Sequence, residues 1–420
     1  MSKIKQIFSR EILNSKAVPT LETTVVLEDG TVSSSSVPSG TSVGTYEALE
    51  VRDNDPDRFN GHGVLKAVET VEKIIAPILI GKESSNQQEV DNLMIHADST
   101  INKGKLGANA ILSVSMAVAK ASAISNRLPL FMYLRQYLKN ENIPPKIPTP
   151  AFNLLNGGKH AASNNMDFQE FLVIPASSIP YPDTLNMAYK IYESIRKNLS
   201  ERNAITLTGD EGGFAPVFPT NKEALSFMLE TISETKYRYN YDVFLGLDCS
   251  ANNFFNNKQY KLKDSGSAFS NENLIDFYDA LNKEFHFLYL EDPFSEDDWD
   301  GWAGLNLRLS NQVIIAGDDL VATNPYRLQL ALDKKAITGV IVKPNQIGTV
   351  IEALALVEAA RQSNLKIIVS HRSGETNDDF IADFAVAVSA DYTKFGAPAR
   401  GERVAKYNRL LQIDHQLRSH

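Results

Sequence analysis

Cysteine is nearly absent. Cys249 is the only one among 420 residues, so no intrachain disulfide can form, and such usage fits a reducing compartment. Long apolar runs are also lacking. None approaches the roughly 20 consecutive residues that a membrane span requires, and Met1 to Ile12 mixes Lys, Arg and Glu with apolar side chains in place of the apolar stretch of a signal peptide. A cytoplasmic protein with no membrane partner is expected. Positive charge is in deficit: 42 Lys plus Arg stand against 51 Asp plus Glu, a formal net charge of −9. That balance excludes a generic nucleic-acid binder. It also sets a condition, because an anionic substrate would need a local cluster of cations in an acidic chain. Hydrophobic residues make up 43%, which allows a sizeable core in one large domain or two ordinary ones.

The first third reads as α+β. Leu21 to Leu27 suits a strand, Asp29-Gly30 a turn and Thr31 to Val37 a partner strand. Val64, Val68, Val71 and Ile75 share one helical face, with Pro77 as a stop signal. Asn109 to Ala123 reads as a helix of small residues suited to close packing. Pro144, Pro145, Pro148 and Pro150 then mark a junction, which predicts a first domain over 1–140 and a second over 141–420. Past it, short apolar runs recur: Phe171–Ile174, Val243–Leu247, Phe287–Leu290, Val313–Ala316, Val340–Val342 and Ile367–Val369. The later ones come about every 25 residues, near the length of one strand-plus-helix unit. Runs this apolar are buried on both faces, as in a parallel sheet covered by helices, and the repetition points to a β/α barrel.

The polar residues after these runs carry the chemistry: Asp248, Glu291-Asp292, Asp318-Asp319, Lys343, and Ser370-His371-Arg372-Ser373. In β/α barrels the strands' C-terminal ends converge on the active site. Capping of the following helices is the alternative for any single Asp, but it does not account for a Lys and an Arg in the series. Asp248, Glu291 and Asp318 make a hard, all-oxygen ligand set suited to Mg²⁺, with Mn²⁺ as substitute. Lys343 ends a buried run, where nearby cations are expected to lower its pKa and make it a base. Lys394 sits in a later segment. Arg372 with Ser373 offers donors to a phosphate, the cationic cluster that the acidic chain requires. Thr208–Gly213 is a glycine-flanked acidic turn or an ordinary loop; Phe168-Gln169-Glu170-Phe171 places a polar pair just before an apolar run; Pro38–Gly44 is a Ser/Gly loop, a linker or a capping turn.

Taken together, Gly209-Asp210-Glu211-Gly212-Gly213, Leu290-Glu291-Asp292-Pro293-Phe294, Gly317-Asp318-Asp319-Leu320, Lys343-Pro344-Asn345-Gln346-Ile347-Gly348, Ser370–Glu375 and Arg403–Asn408 resemble the enolase family, from about Lys3 to about Ile413. The resemblance implies an α/β protein: an N-terminal α+β capping domain on an enolase-type modified β/α barrel. It implies interconversion of 2-phosphoglycerate and phosphoenolpyruvate with two Mg²⁺ per site. By motif match, Asp248, Glu291 and Asp318 would hold the tighter ion and Ser42 would help hold the second as its loop closes. Lys343 would remove the proton from carbon 2. Glu211 would protonate the departing hydroxyl, with Glu170 beside it. Arg372 and Ser373 would grip the phosphate, with His160 on another mobile loop, while Gln169, His371 and Lys394 would line the site. The partner implied is a small phosphorylated carboxylic acid, and the assembly a homodimer or higher homo-oligomer.

Departures from the family's pattern cluster at the closing loops and the dimer contact. Lys16, Ala17 and Val18 stand where Arg, Gly and Asn are usual, Val43 where Thr is usual, and Phe395 where Thr is usual; the loop carrying His160 is one residue longer. Arg10 and Glu22 match one side of the family's dimer ion pairs, but Gln412 and His415 stand where Arg and Glu are expected. A glycolytic enolase, or a paralogue dehydrating a related phosphonate or phospho-hydroxy-acid, are the two readings within the enzyme class.

Overall fold

The computed structural model describes residues 2–40, 44–139, 143–161 and 166–419. The chain opens with β1 (Ile4–Leu13), β2 (Pro19–Leu27) and β3 (Val32–Ser36), an antiparallel sheet in that order. β1 is a strand not read from the sequence, because its charged side chains mask the apolar ones: Ile4 and Ile7 face inward while Arg10 faces out. Arg10 and Glu22 are register partners on β1 and β2 and bond each other at 2.8 Å within the chain.

Pro77 does not stop the helix that begins at Leu65. The helix continues to Leu79 through a π turn over Val71–Ile75. A proline ring crowds the carbonyl four residues back, and the wider turn makes room for it. The small-residue helix Ala108–Ser125 is long and apolar enough to cross a membrane, although Ser and Lys interrupt its apolar sequence. It is 83% buried inside the fold, against β2 and β3.

The rest of the chain builds a barrel. Its strands are β4 (Thr149–Asn156), β5 (Glu170–Pro175), β6 (Val243–Asp248), β9 (Tyr289–Glu291), β10 (Ile314–Gly317), β11 (Gly339–Val342), β12 (Lys366–Ser370) and β13 (Tyr392–Lys394), with β7 (Phe255–Asn256) and β8 (Gln259–Tyr260) as a separate short hairpin. The eight close in the order β10-β11-β12-β13-β4-β5-β6-β9. One strand departs from the parallel sheet that the apolar runs suggested: β5 runs antiparallel to both β4 and β6. Ala151, Leu172, Ile174, Tyr289, Ala316, Ile341 and Ile368 fill the interior, and a larger apolar layer packs the helices outside.

Capping duties fall to other residues. Thr220, Ser270, Asp298, Asn324 and Thr349 accept the free N–H groups at the starts of their helices, so Asp248, Glu291 and Asp318 remain available at the barrel mouth. The N-terminal layer is seated by polar contacts. Asp91 accepts the Ile351 N–H at 3.0 Å and Ser115 the Val350 N–H at 3.1 Å, while Lys120 pairs with Asp378 at 2.8 Å.

Gly157, after β4, lets two backbones approach closely. A Cβ there would collide with the carbonyl oxygen of Phe168, in the segment that leads into β5, and backbone cannot swing aside as a side chain can. Gly157→Ala should therefore cost about 1–3 kcal/mol of stability and displace Gln169 and Glu170. Urea unfolding and activity, measured on one preparation, check both; an unchanged midpoint would contradict the packing.

Candidate active site

The barrel brings its chemistry to one end. β6 ends in Asp248, β9 in Glu291 and β13 in Lys394; Asp318 follows β10, Lys343 follows β11, and His371, Arg372 and Ser373 follow β12. Because β5 is reversed, its first residue, Glu170, arrives at this same end. Register pairs Glu170 with Asp248, Asp248 with Glu291, and Ser370 with Lys394. A cavity of about 450 Å³ is lined by His160, Gln169, Glu170, Glu211, Asp248, Asp318, Lys343, His371, Arg372, Ser373 and Lys394. Glu291 lies beneath the wall, fully buried, and accepts the Tyr289 hydroxyl at 2.6 Å. Ser42 lies outside the described residues.

Two ammonium groups organise the carboxylates. Lys394 Nζ reaches Glu291 Oε1 at 2.7 Å, Asp248 Oδ2 at 3.0 Å and Glu170 Oε1 at 3.3 Å. Gln169 adds a 3.3 Å bond to Asp248 Oδ2. Lys343 Nζ contacts Asp318 Oδ2. The expected trio is thus divided: Lys394 joins Asp248 to Glu291, and Lys343 holds Asp318. Among the described residues, the groups of three acids or histidines whose ligand atoms lie within 4.8 Å of one another are Asp292/Asp318/Asp319 and His160/Glu170/Glu211. Asp292 was read only as a motif neighbour. It sits at a φ of 42° and accepts the backbone N–H groups of Asp318 and Asp319, each at 2.9 Å, so it builds the turn that presents Asp318. The doubled acids Glu291-Asp292 and Asp318-Asp319 were the available signal.

The electrostatics correct one expectation. Burial pushes the Lys343 ammonium down, and Arg372 and Lys394 add to this as the sequence suggested. The carboxylate of Asp318 outweighs them and holds Lys343 above the ordinary lysine value. Surplus negative charge shows on the partners. Burial and Asp248 push Glu291 up to about 8; burial and Asp318 push Asp319 up to about 7. Such groups keep protons near neutrality unless another cation neutralises them. An oxygen-only donor set short of positive charge fits a divalent cation.

Next to this group, and sharing Glu170 with it, His160 Nδ1 stands 3.6 Å from both Glu170 Oε1 and Glu211 Oε1. Environment splits the two carboxyls. Burial, then the Glu211 charge, drives Glu170 well up. Burial would raise Glu211 too, but His160, His371 and Arg403 overcome it and hold it well down. Arg403 is fully buried and was missed as an individual residue within its motif. Its Nη1 lies 2.7 Å from His371 Nδ1 and its guanidinium also bonds the carbonyls of Arg372 and Ser373, each at 2.6 Å. A guanidinium only donates, so His371 Nδ1 accepts and Nε2 carries the hydrogen, 3.2 Å from Glu211 Oε2. Burial keeps His371 neutral, its pKa pushed down to about 4.

Arg372 meets a partner the sequence did not announce. Glu47 of the N-terminal layer takes its guanidinium at 2.7 and 3.1 Å, and Asn345 adds a 3.1 Å bond. Lys16, the replacement for Arg, pairs with Asp210 beside Glu211. Phe395 is buried in the outer apolar layer near Tyr407, with ring centroids 6.1 Å apart, and is not on the cavity wall.

A barrel whose mouth gathers buried carboxylates around two lysines, under an α+β layer, defines a lyase of the enolase superfamily. Family models agree over nearly the whole length: the enolase N-terminal domain matches residues 4–134 and the enolase C-terminal TIM barrel domain residues 145–420. The chain belongs to the enolase family.

Cation binding at these carboxylates should be linked to protons. Glu291 at about 8 and Asp319 at about 7 hold protons at neutral pH, and a ligating carboxylate must give its proton up. Mn²⁺ or Mg²⁺ affinity should therefore rise as pH goes from 6 to 8, by about tenfold or more. Calorimetry in two buffers of different ionisation enthalpy counts the protons released; affinity flat across that range, with none released, would contradict the charge balance.

Proposed function

We propose that the chain catalyses the divalent-cation-dependent, reversible dehydration of 2-phosphoglycerate to phosphoenolpyruvate. The observation that carries this reading is one cavity that gathers two kinds of proton-handling group: Lys343 and Lys394 among carboxylates, and the His160/Glu170/Glu211 group, which Lys394 touches through Glu170.

Asp248, Glu291 and Asp318 would hold the cation, Mg²⁺ with Mn²⁺ as substitute, and Ser42 would contribute to a second one. Bound there, the cation supplies positive charge against the substrate carboxylate, which lowers the cost of a second negative charge when the adjacent C–H bond ionises. A cation on Asp318 would weaken that carboxylate's hold on the Lys343 ammonium; once the ammonium has given its proton to solvent, the neutral amine would take the proton from carbon 2. The departing hydroxyl on carbon 3 takes its proton from the Glu170–Glu211 pair. Glu170 is the member of the pair whose hold on a proton is strengthened, because burial and Glu211 push it up, and Glu211 faces both histidines. Arg372 and Ser373, with His160, form the phosphate end, where the phosphate competes with Glu47 for the guanidinium.

The alternative substrate, a phosphonate or related phospho-hydroxy-acid, draws on the departures from the family's pattern. Phe395 is one of them, and its place in the outer core leaves the cavity wall unchanged, which favours 2-phosphoglycerate.

With 2-phosphoglycerate and saturating Mg²⁺, absorbance of the enol product should rise. Lys343→Ala should lower exchange of the carbon 2 hydrogen with solvent by about 10²–10⁴-fold. Exchange that persists in this variant would remove Lys343 as the base. A wild-type protein inert on 2-phosphoglycerate but active on a phosphonate analogue would transfer the reading to the alternative substrate.

A further inference from the structure

The turn leaving β10 holds a strained residue that none of the assignments above uses. Ala322 and Thr323 both adopt left-handed backbone, each with a φ of 49°. A β-branched side chain is disfavoured there, whereas glycine would be at ease. Thr323 is also fully buried. What glycine lacks is the hydroxyl. Thr323 Oγ1 accepts the backbone N–H of Lys343 at 2.9 Å and donates to Gln346 Oε1 at 2.7 Å. Gln346 Nε2 donates in turn to Asp318 Oδ1 at 3.1 Å, and Asp318 Oδ2 contacts Lys343 Nζ.

These bonds close a ring: Lys343 backbone, Thr323 hydroxyl, Gln346 amide, Asp318 carboxylate, Lys343 ammonium. Its polarity is forced. The backbone N–H can only donate, so the hydroxyl proton is left for the Gln346 oxygen, and the Gln346 NH₂ must then face Asp318. Gln346 is buried as well, so a missing member would leave a polar group without a partner. Backbone strain in a buried turn persists where the surroundings over-determine it, and it clusters at reactive sites.

We propose that Thr323 and Gln346 are positioning residues that hold the base and the cation-ligand carboxylate in one register. The proposal rests on the dehydration reading, in which Lys343 is the base and Asp318 the ligand. Gln346 donates to Oδ1 of Asp318 while Lys343 holds Oδ2, so the two residues together fix how this carboxylate faces the cavity. Thr323 keeps the Lys343 backbone fixed when that ammonium is released.

Thr323→Gly, Thr323→Ser and Gln346→Leu test this. Mn²⁺ affinity is measured by calorimetry on substrate-free protein, and kcat and KM with 2-phosphoglycerate. Thr323→Gly relieves the strain yet removes the hydroxyl. It and Gln346→Leu should weaken Mn²⁺ binding about tenfold and lower kcat at least about tenfold, with KM changed by less than about threefold. Thr323→Ser should recover most of both. Wild-type Mn²⁺ affinity and kcat in Thr323→Gly would overturn the proposal, as would equal losses in the Ser and Gly variants. If Gln346→Leu does not fold, the Ser–Gly comparison decides alone. A wild type inert on 2-phosphoglycerate would sink the dehydration reading, while the Mn²⁺ affinities would still judge the ring.

Discussion

Carboxylates buried side by side repel one another, and here the barrel forces them together. Asp248, Glu291, Asp318 and Asp319 stand at the ends of neighbouring strands, with Glu170 opposite Asp248. Two ammonium groups make this arrangement tolerable: Lys394, shared among three carboxylates, and Lys343 on Asp318. They do not balance it, since Glu291 and Asp319 are still pushed up to about 8 and about 7. The remaining deficit of positive charge is what fits the site to a hard cation. It also holds Lys343 above the ordinary lysine value, so in the proposed dehydration base strength would be tied to cation loading at Asp318.

The reversed strand gives the site its second half. If β5 ran parallel like most of its neighbours, Pro175 would reach the mouth and Glu170 would lie at the far end. Running antiparallel, β5 delivers Glu170 to the cavity at its start. The Gly209–Gly213 turn then supplies Glu211 from a loop. Two carboxyls a few ångströms apart cannot both ionise easily. His160, together with His371 and Arg403, holds Glu211 well down, while burial and the Glu211 charge push Glu170 up.

Most of the barrel was legible because its strands are short, apolar and followed by charged residues: Val243–Leu247, Val340–Val342 and Ile367–Val369 all became strands. β4 was hidden, since Pro148 and Pro150 read as a junction, and β13 was too short to register. Direction was not legible at all, for periodicity carries no sign; only the polar pair preceding β5 hinted that its beginning faced the site. Among site residues, those at strand ends were found. Glu47, Arg403 and Thr323 were not, because each acts through a contact with a residue far away in sequence: Glu47 on Arg372, Arg403 on His371, Thr323 on Lys343.

Two departures from the family's pattern, Lys16 and Phe395, fall on supporting positions and not on the cavity wall. Lys16 replaces a planar fork with a point charge, and that charge pairs with an oxygen of Asp210. The Asp210 backbone carbonyl also lies 3.3 Å from Arg403 Nη2, so the turn carrying Glu211 is tethered from two sides. Phe395 replaces a small polar residue but faces the outer core, where its ring fills apolar space near Tyr407. A chain drifting away from this chemistry would lose the costly groups first, since unpaired buried charge is what stability penalises most. Here the buried carboxylates, both lysines and the Arg403–His371 contact all persist. The change has gone instead to positions where another contact holds the same element in place.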